Sequence, residues 1–301
     1  MDRLAAMQTL VRVVDTGSFS AAARQLGIGQ PAVSKTVAQL ETTLGVKLLT
    51  RTTRGLSPTE SGRRYYALAL RALEAAAEAE AAARDAGAAV TGRLRVSTAI
   101  SFGRLQIVPR LPAFMAAHPE LSVDIVMDDR PIDLVEEGID VALRLGPQPD
   151  SPLAGRIIAT RRRLMVAAPE YLARHGVPAR PAELARHEVV GLLQPGFATS
   201  WTFTRGHETE TVTLGGRLRT TSNEGVREAV FAGMGLAIGS EWGFERELAE
   251  GRVREVLPDW SMSQTDLWAL VPAGRQMTTR ARVFIDFVER QLRRADPEAV
   301  E

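Results

Sequence analysis

Glycine turns divide the first 45 residues into three helical segments, and this pattern restricts the fold more than any other feature of the chain. Apolar residues recur at helical spacing up to Gly17, which predicts an amphipathic first helix. A short alanine-rich helix follows, which Ser18 or Ser20 can cap, and Gly27-Ile28-Gly29 ends it. The expected inward faces of these two helices consist of Leu4, Met7, Val11, Val14, Ala21, Ala22, Ala23 and Leu26.

A third helix is predicted to begin at Gln30, because Pro31 in the first turn loses no hydrogen bond. Its inward face is expected to contain Val33, Val37, Leu40 and Leu44. The opposite face carries Gln30, Ser34, Lys35 and Ala38. Two short helices joined by a glycine turn, the second with a small polar outer face, are typical of a helix-turn-helix that binds the major groove. An ordinary helical bundle with a solvated polar face is the alternative.

Residues 46–57 favour the helix-turn-helix over the bundle. The apolar residues Val46, Leu48 and Leu49 lead into the basic turn Arg51-Thr52-Thr53-Arg54-Gly55, as a wing that contacts phosphates would need. Residues 1–64 contain nine basic and four acidic residues, although the whole chain carries only +1. The other 237 residues therefore carry −4, so we expect a polyanion to bind at the N-terminus.

These N-terminal residues resemble the LysR-type transcriptional regulators. The resemblance is carried by Gly17-Ser18-Phe19-Ser20, Ala22-Ala23, Leu26, Gln30-Pro31-Ala32-Val33-Ser34, Leu40-Glu41, Leu44-Gly45, Leu48, Arg51-Thr52, Thr59 and Gly62. Leu49 stands where phenylalanine is common, and Gly29 stands where a serine often caps the recognition helix. The resemblance implies a winged helix-turn-helix in residues 1–57. Its expected contacts with double-stranded operator DNA are made by Ser18, Gln30, Pro31, Ser34, Lys35, Arg51, Thr52 and Arg54.

An alanine-rich segment without internal proline runs from Ser57 to about Asp85 and predicts one long helix. Ser57-Pro58-Thr59-Glu60 has the spacing of a capping box with proline at the first helical position. The register of the family instead places the cap at Thr59. A rigid spacer is one interpretation of this helix. The resemblance implies a linker helix, residues 58–88, that pairs antiparallel with a second copy in a homodimer.

Strand-like and helical segments alternate beyond Gly92, which predicts βαβ units with a parallel sheet. Strands are predicted at 94–98, 123–127, 141–143, 163–167, 189–193, 235–238 and 267–271, and helices at 102–117, 132–137, 225–232 and 278–293. Two similar lobes suggest a periplasmic-binding-protein-like effector domain, residues 89–301, with a cleft between them. Lobe I is expected to contain residues 89–162 and 265–301, and lobe II residues 163–264. The predicted fold class is thus α plus α/β.

The sequence offers no catalytic constellation. The chain has no cysteine, which excludes disulfides and thiol chemistry, and its four histidines are scattered. Gly233-Met234-Gly235 has the wrong spacing for a dinucleotide fingerprint, and Gly239-Ser240-Glu241 does not match a nucleophile elbow. We therefore expect neither an enzyme nor a metal or cofactor site. The absence of a long apolar segment and of a signal-peptide pattern favours a cytoplasmic location without membrane contact.

A candidate effector site lies where predicted strands end and helices begin, because helix N-termini present free N–H groups there. A polar ring and helix dipoles favour a small organic anion or a polar aromatic over a lipid. The expected site residues are Thr98, Ser101, Phe102, Arg144, Trp201, Phe203, Ser222 and Asn223. The alternatives are that Ser222 only caps a helix, that Trp201 and Phe203 are core residues, and that Arg144 pairs with a carboxylate such as Asp140.

The resemblance implies a homodimer or homotetramer whose DNA binding responds to a small molecule. Effector binding would shift the relative orientation of dimers and change DNA bending and access of RNA polymerase, a further expected partner. The alternative function is a small-molecule-binding protein whose helical N-terminus serves only oligomerisation. Such a protein should bind DNA no better than expected from the net charge of −4 that the 237 residues after the N-terminal segment carry.

Overall fold

The computed structural model describes residues 1–52, 55–83, 90–148, 153–193, 200–272 and 277–294. These residues form two compact units, Met1–Gly92 and Arg93–Glu301. Among the described residues, no helix combines the length and the apolar character that crossing a bilayer requires.

The N-terminal unit contains α1 (Arg3–Thr16), α2 (Phe19–Leu26), α3 (Gln30–Leu44), β1 (Leu49–Thr52), β2 (Gly55–Pro58) and α4 (Glu60–Ala83). Each of the first three helices ends at a glycine with positive φ, which glycine adopts without strain: Gly17, Gly27 and Gly45. Of the two candidate caps for α2, Ser18 is the one used, because its hydroxyl oxygen accepts the Ala21 N–H at 3.3 Å. The predicted helix-turn-helix and wing are thus both present.

The buried face of α1 differs from the predicted one. Leu4 is exposed, whereas Ala6, Leu10 and Val13 are fully buried. Because α1 contacts α2, α3 and α4, its buried surface is wider than a single stripe and is centred on other residues. Leu44, predicted to face inward, is also exposed, since it is the last residue of α3 and lies beyond the core.

The helix cap predicted at Ser57 is wrong. Ser57 pairs with Thr50 and Pro58 pairs with Leu49 in the β1–β2 hairpin, so the chain is extended there. The hydroxyl oxygen of Thr59 accepts the Gly62 N–H at 2.9 Å, and α4 begins one residue after Thr59. The register implied by the family is therefore confirmed. The predicted C-terminal end of the helix, near residue 85, lies outside the described residues.

The second unit has two lobes. The first consists of β3 (Gly92–Thr98), α5 (Ile100–Phe102), α6 (Leu111–Ala117), β4 (Leu121–Met127), β5 (Val141–Leu145), β6 (Ala154–Arg161) and, from the end of the chain, β14 (Thr265–Val271) and α10 (Thr279–Arg294). The second consists of β7 (Arg163–Ala167), α7 (Pro169–His175), β8 (Gly191–Leu192), β9 (Ser200–Arg205), β10 (Glu208–Thr213), β11 (Arg219–Thr220), α8 (Asn223–Phe231), β12 (Ala237–Ser240), α9 (Glu245–Ala249) and β13 (Arg254–Val256).

The sheet of the first lobe has the strand order β4-β3-β5-β14-β6. β3 and β5 are parallel as predicted, but β14 is antiparallel to both β5 and β6. The prediction of a parallel sheet is confirmed for β3 and β5 and is wrong for β14, because β6 leads the chain out of this lobe and β14 brings it back. A π-helical turn (Gly103–Ile107) and a 3-10 turn (Val108–Arg110) join α5 to α6, and Phe114 on α6 packs against Phe284 on α10.

The second lobe also differs from the predicted βαβ units. β7 lies at the centre of a three-stranded sheet and is antiparallel to both β12 and β13, while the short pair β8–β11 and the bridge between Val189 and Leu236 are parallel. The β9–β10 hairpin, which turns at Gly206, was not predicted.

The helix predicted at 132–137 is absent, and turns occupy these residues. The carboxylate of Asp133 accepts the N–H groups of Val135 and Glu136 at 2.8 and 3.0 Å, which begins a single turn. Gly138, with φ of 65°, ends that turn before a helix can extend.

Candidate functional site

The N-terminal half of α3 presents a polar surface to solvent. Gln30, Pro31 and Lys35 are exposed and Ser34 is half-buried. Their spacing places these residues on one face of the helix. The opposite face holds α3 in the core through Val33, Val37 and Leu40, which are at most 3% exposed. A rigidly held helix with a polar outer face is what a major-groove reader needs.

Ser18 plays a local structural role at the start of α2. Besides accepting the Ala21 N–H, it accepts the Thr16 hydroxyl at 3.0 Å through its carbonyl oxygen.

Among the predicted wing residues, Arg51 and Thr52 lie on β1, and Arg54 lies outside the described residues.

Glu41 connects α3 to the wing, a role that sequence reasoning missed. Its carboxylate is 8% exposed and accepts the backbone N–H groups of Leu48 at 2.8 Å and Leu49 at 3.1 Å, together with the Lys47 ammonium at 2.6 Å. Burial raises the pKa of Glu41, but the hydrogen bonds from Lys47, Leu49 and Leu48 outweigh it and hold the pKa below 4.5. Glu41 therefore sets where the wing leaves the recognition helix.

Acid should weaken this connection. Because the pKa of Glu41 is lower in the folded chain, its stabilisation is present above pH 4.5 and is lost as the pH falls through the folded-state pKa. Glu41→Gln should destabilise the N-terminal unit by about 1 kcal/mol near neutral pH and should flatten the loss of stability in acid. Hydrogen exchange of peptides that cover residues 45–52 measures this local stability.

Lys47→Met provides the matched control. It keeps both backbone hydrogen bonds to Glu41 and removes only an ammonium that is 79% exposed, so its effect should be smaller. An unchanged acid dependence in Glu41→Gln would contradict the assigned role.

A cavity of about 1070 Å³ lies between the lobes of the second unit. Five of the predicted effector residues line it: Ser101, Phe102, Arg144, Trp201 and Asn223. The carboxyl ends of β3 and β5 and the N-terminus of α8 bring four of these residues together. The predicted meeting of strand ends and helix starts is therefore observed.

Three other predicted residues do not line the cavity. Thr98 is 0% exposed beneath it, and its methyl group lies close to Gly103. Phe203 is 0% exposed in the core of the second lobe, and Ser222 caps α8 by accepting the Glu224 N–H at 3.2 Å. The core interpretation thus fits Phe203, and the capping interpretation fits Ser222.

Arg144 is held by neutral oxygens. Its guanidinium donates to the Ser97 hydroxyl at 2.7 Å and to the Leu143 carbonyl at 3.2 Å. Asp140, the carboxylate considered as its partner, instead accepts from Arg280 at 3.0 Å. Burial lowers the pKa of Arg144 below its usual range, although Asp128 and Asp129 oppose this shift.

Arg163, which sequence reasoning missed, has a similar environment in the same cavity. Its guanidinium donates to the Ser263 hydroxyl at 3.0 Å and lies 5.0 Å from the centre of the Trp201 ring. Burial lowers the pKa of Arg163, with Asp266 opposing the shift. In the part of the chain that the structure describes, neither Arg163 nor Arg144 forms an ion pair within 4.0 Å.

Several residues of the same cavity carry buried polar groups. Ser101, Ser240, Trp242 and Thr265 line it, and the side-chain oxygen or nitrogen of each has no hydrogen-bond partner among the described residues. Trp242 also packs edge-on against Phe102, with ring centres 5.5 Å apart. The cavity thus combines two arginines, several buried polar groups and aromatic walls.

Comparison with known proteins decides the family. Residues 4–63 match the family described as "Bacterial regulatory helix-turn-helix protein, lysR family", and residues 87–293 match the "LysR substrate binding domain". The chain belongs to the LysR family of transcriptional regulators. Its helical N-terminus is therefore a DNA-binding domain, and the alternative of an element that serves only oligomerisation is set aside.

Relatives of this LysR-type regulator match along nearly its whole length. The probable HTH-type transcriptional regulator LtrA of Klebsiella pneumoniae is 36% identical over 281 residues, which cover 92% of this chain and 91% of that protein. The solved structure of CrgA, a LysR-type regulator from Neisseria meningitidis, is 33% identical with a TM-score of 0.61, covering 96% of this chain and 98% of that one.

The full-length structure of AphB, a virulence activator from Vibrio cholerae, is 29% identical with a TM-score of 0.56 and covers 95% of this chain and 98% of that one. These matches confirm the predicted architecture of a helix-turn-helix domain followed by an effector-binding domain. They also confirm the predicted function of a DNA-binding transcriptional regulator.

Proposed function

We propose that this LysR-type regulator binds operator DNA as a homodimer or homotetramer, and that a small organic anion in the cavity changes its DNA binding. Residues 1–57 contact DNA, the helix within 58–88 pairs two chains, and residues 89–301 bind the effector. The protein acts in the cytoplasm without catalysis or a cofactor. Changes in DNA bending then alter access of RNA polymerase.

The polar face of α3 supports the proposed DNA contacts. Lys35, which is exposed, and Ser34, which is half-buried, are assigned to base edges or adjacent phosphates, with Gln30 and Pro31 at the start of the helix. Ser18 and the wing residues Arg51, Thr52 and Arg54 are assigned to flanking phosphates, which carry no sequence information but position the helix.

The environment of Arg144 and Arg163 carries the proposal for the effector. Both guanidinium groups line the cavity and lose solvation there, while their hydrogen bonds go to hydroxyl and carbonyl oxygens. A bound carboxylate would offset that lost solvation with charge-assisted hydrogen bonds. Phe102, Trp201 and Trp242 offer aromatic walls to its apolar part.

Arg144→Gln tests the proposal for the effector. Small carboxylates such as acetate and benzoate, each with its neutral amide, are screened by thermal shift, and active compounds are tested by gel shift on the intergenic DNA beside the gene. Carboxylates should stabilise the wild-type protein more than their amides, and Arg144→Gln should weaken their binding at least about tenfold. Basal DNA binding should stay nearly unchanged.

Arg246→Gln is the matched control, because Arg246 is 76% exposed and pairs with Glu250, and neither residue lines the cavity. It should respond to carboxylates as the wild type does. Equal effects of carboxylates and amides, or an equal response of Arg144→Gln and wild type, would exclude an anion site at Arg144.

A further inference from the structure

The carboxylate of Asp129 joins the two lobes at one end of the cavity. Asp129 follows β4 in the first lobe, and one of its oxygens accepts the Ile100 N–H of that lobe at 2.9 Å. Its other oxygen accepts the Asn223 N–H of the second lobe at 3.1 Å. Asn223 is the first residue of α8, so a side chain of one lobe binds the helix N-terminus of the other.

The surroundings of this contact form an anion site. Asp129, Asn223 and Ser101 all line the cavity. Ser101 is 7% exposed, and its hydroxyl has no hydrogen-bond partner among the described residues. Ser101 lies on α5, which contacts α8, and an N–H group at the start of a nine-residue helix is a place where carboxylates bind well. A carboxylate already binds there, and it belongs to the protein.

Asp128, the preceding residue, makes a different set of contacts. Its two oxygens bind the side chain and the backbone N–H of Arg130, within the first lobe. Arg104 and Glu224 do connect the lobes, through an ion pair at 2.9 Å, but the Arg104 side chain is 50% exposed and water screens such pairs. Of these side chains, Asp129 is therefore the one that joins the lobes through the N-terminus of α8.

We propose that Asp129 is a tethered anion that replaces a ligand carboxylate at the N-terminus of α8 and holds the second lobe on the first. Asp129 thereby excludes a second anionic group from this end of the cavity by charge repulsion and by occupying the Asn223 N–H. This inference rests on the proposed function, in which the charged end of the effector binds at Arg144 and Arg163. Because Asp129 excludes a second anionic group, the cavity selects monocarboxylates over dicarboxylates.

The test uses the full-length protein without DNA or effector, so that its outcome does not depend on the proposed effector site. Asp129→Ala is compared with Asp128→Ala by hydrogen exchange. Peptides that cover residues 221–226 should exchange at least about tenfold faster in Asp129→Ala, because the Asn223 N–H at the start of α8 loses its acceptor on the first lobe. The Asp128→Ala variant should resemble the wild type.

Sulfate provides the second measurement. In sodium sulfate, Asp129→Ala should regain protection at the start of α8 relative to sodium chloride of equal ionic strength, while wild type and Asp128→Ala should not change. Wild-type exchange in Asp129→Ala would overturn the proposal, and so would a failure of sulfate to restore protection. Loss of folded structure in Asp129→Ala, with or without sulfate, would also overturn it, since Asp129 is assigned to joining the lobes and not to either core.

Discussion

Replacing Ala76 with proline is expected to dissociate the regulator into monomers and to reduce operator affinity at least about 100-fold. Ala76 lies in the middle of α4, which runs from Glu60 to Ala83. Proline there removes a backbone hydrogen bond and clashes with the preceding turn, which destabilises the helix by about 3 kcal/mol or more. A monomer presents one recognition helix, so binding to two half-sites would no longer be cooperative.

Analytical ultracentrifugation and circular dichroism measure the two parts of this prediction. Ala76→Ser serves as the control, because serine is compatible with a helix interior and should leave the dimer intact. If Ala76→Pro retained both the dimer mass and the helix content, the surface that pairs the chains would have to lie outside α4.

The N-terminal fold follows from local signals that act within a few residues. Gly17, Gly27 and Gly45 each end a helix in the conformation that glycine prefers, so the three helices were predictable. The start of α4 was not predictable from spacing alone. Ser57 and Thr59 both precede a favourable capping pattern, and the hairpin pairing of Ser57 with Thr50 decides in favour of Thr59. A contact between strands thus overrode a local capping signal.

The effector domain shows the limit of periodicity more clearly. Alternating strands and helices were visible in the sequence, but the direction of β14 depends on the chain returning from the second lobe. The hairpin β9–β10 carries a threonine-rich alternation whose faces are only partly buried, which makes it a weak signal. The sequence predicted a helix at 132–137 where the structure has a short turn. The carboxylate of Asp133 begins this turn as it would begin a helix, but Gly138 ends it.

The cavity was predictable where its residues follow strands, and not where they depend on packing between lobes. Ser101 follows β3, and Arg144 lies near the end of β5. Both residues line the cavity as expected. Asp129 gains its role only when the second lobe packs on the first. Arg163 gains its role through contacts with Trp201 and Ser263, which are distant in sequence. The expectation that free helix N–H groups bind the effector anion needs revision at Asn223, since that N–H already binds Asp129.

The double substitution Ser34→Ala, Lys35→Ala should remove most of the preference of the regulator for its operator. A good base contact contributes about 1–3 kcal/mol, and the proposed dimer would present the same helix face twice, so the operator affinity should fall by about 2–6 kcal/mol. Both alanines favour the helix, so the N-terminal unit should remain folded. Binding to unrelated DNA should fall less, because the phosphate contacts proposed for the wing would remain.

Thr43→Ala is the matched control for this change, since Thr43 is exposed near the C-terminal end of the same helix and lies away from the face of Gln30, Ser34 and Lys35. Gel shifts with operator and with unrelated DNA, each at two salt concentrations, separate base contacts from phosphate contacts. A loss confined to the operator assigns the face of α3 to sequence recognition. An equal loss on both DNAs would assign Lys35 to the phosphate backbone, and an unchanged operator affinity would mean that another surface of the unit reads the sequence.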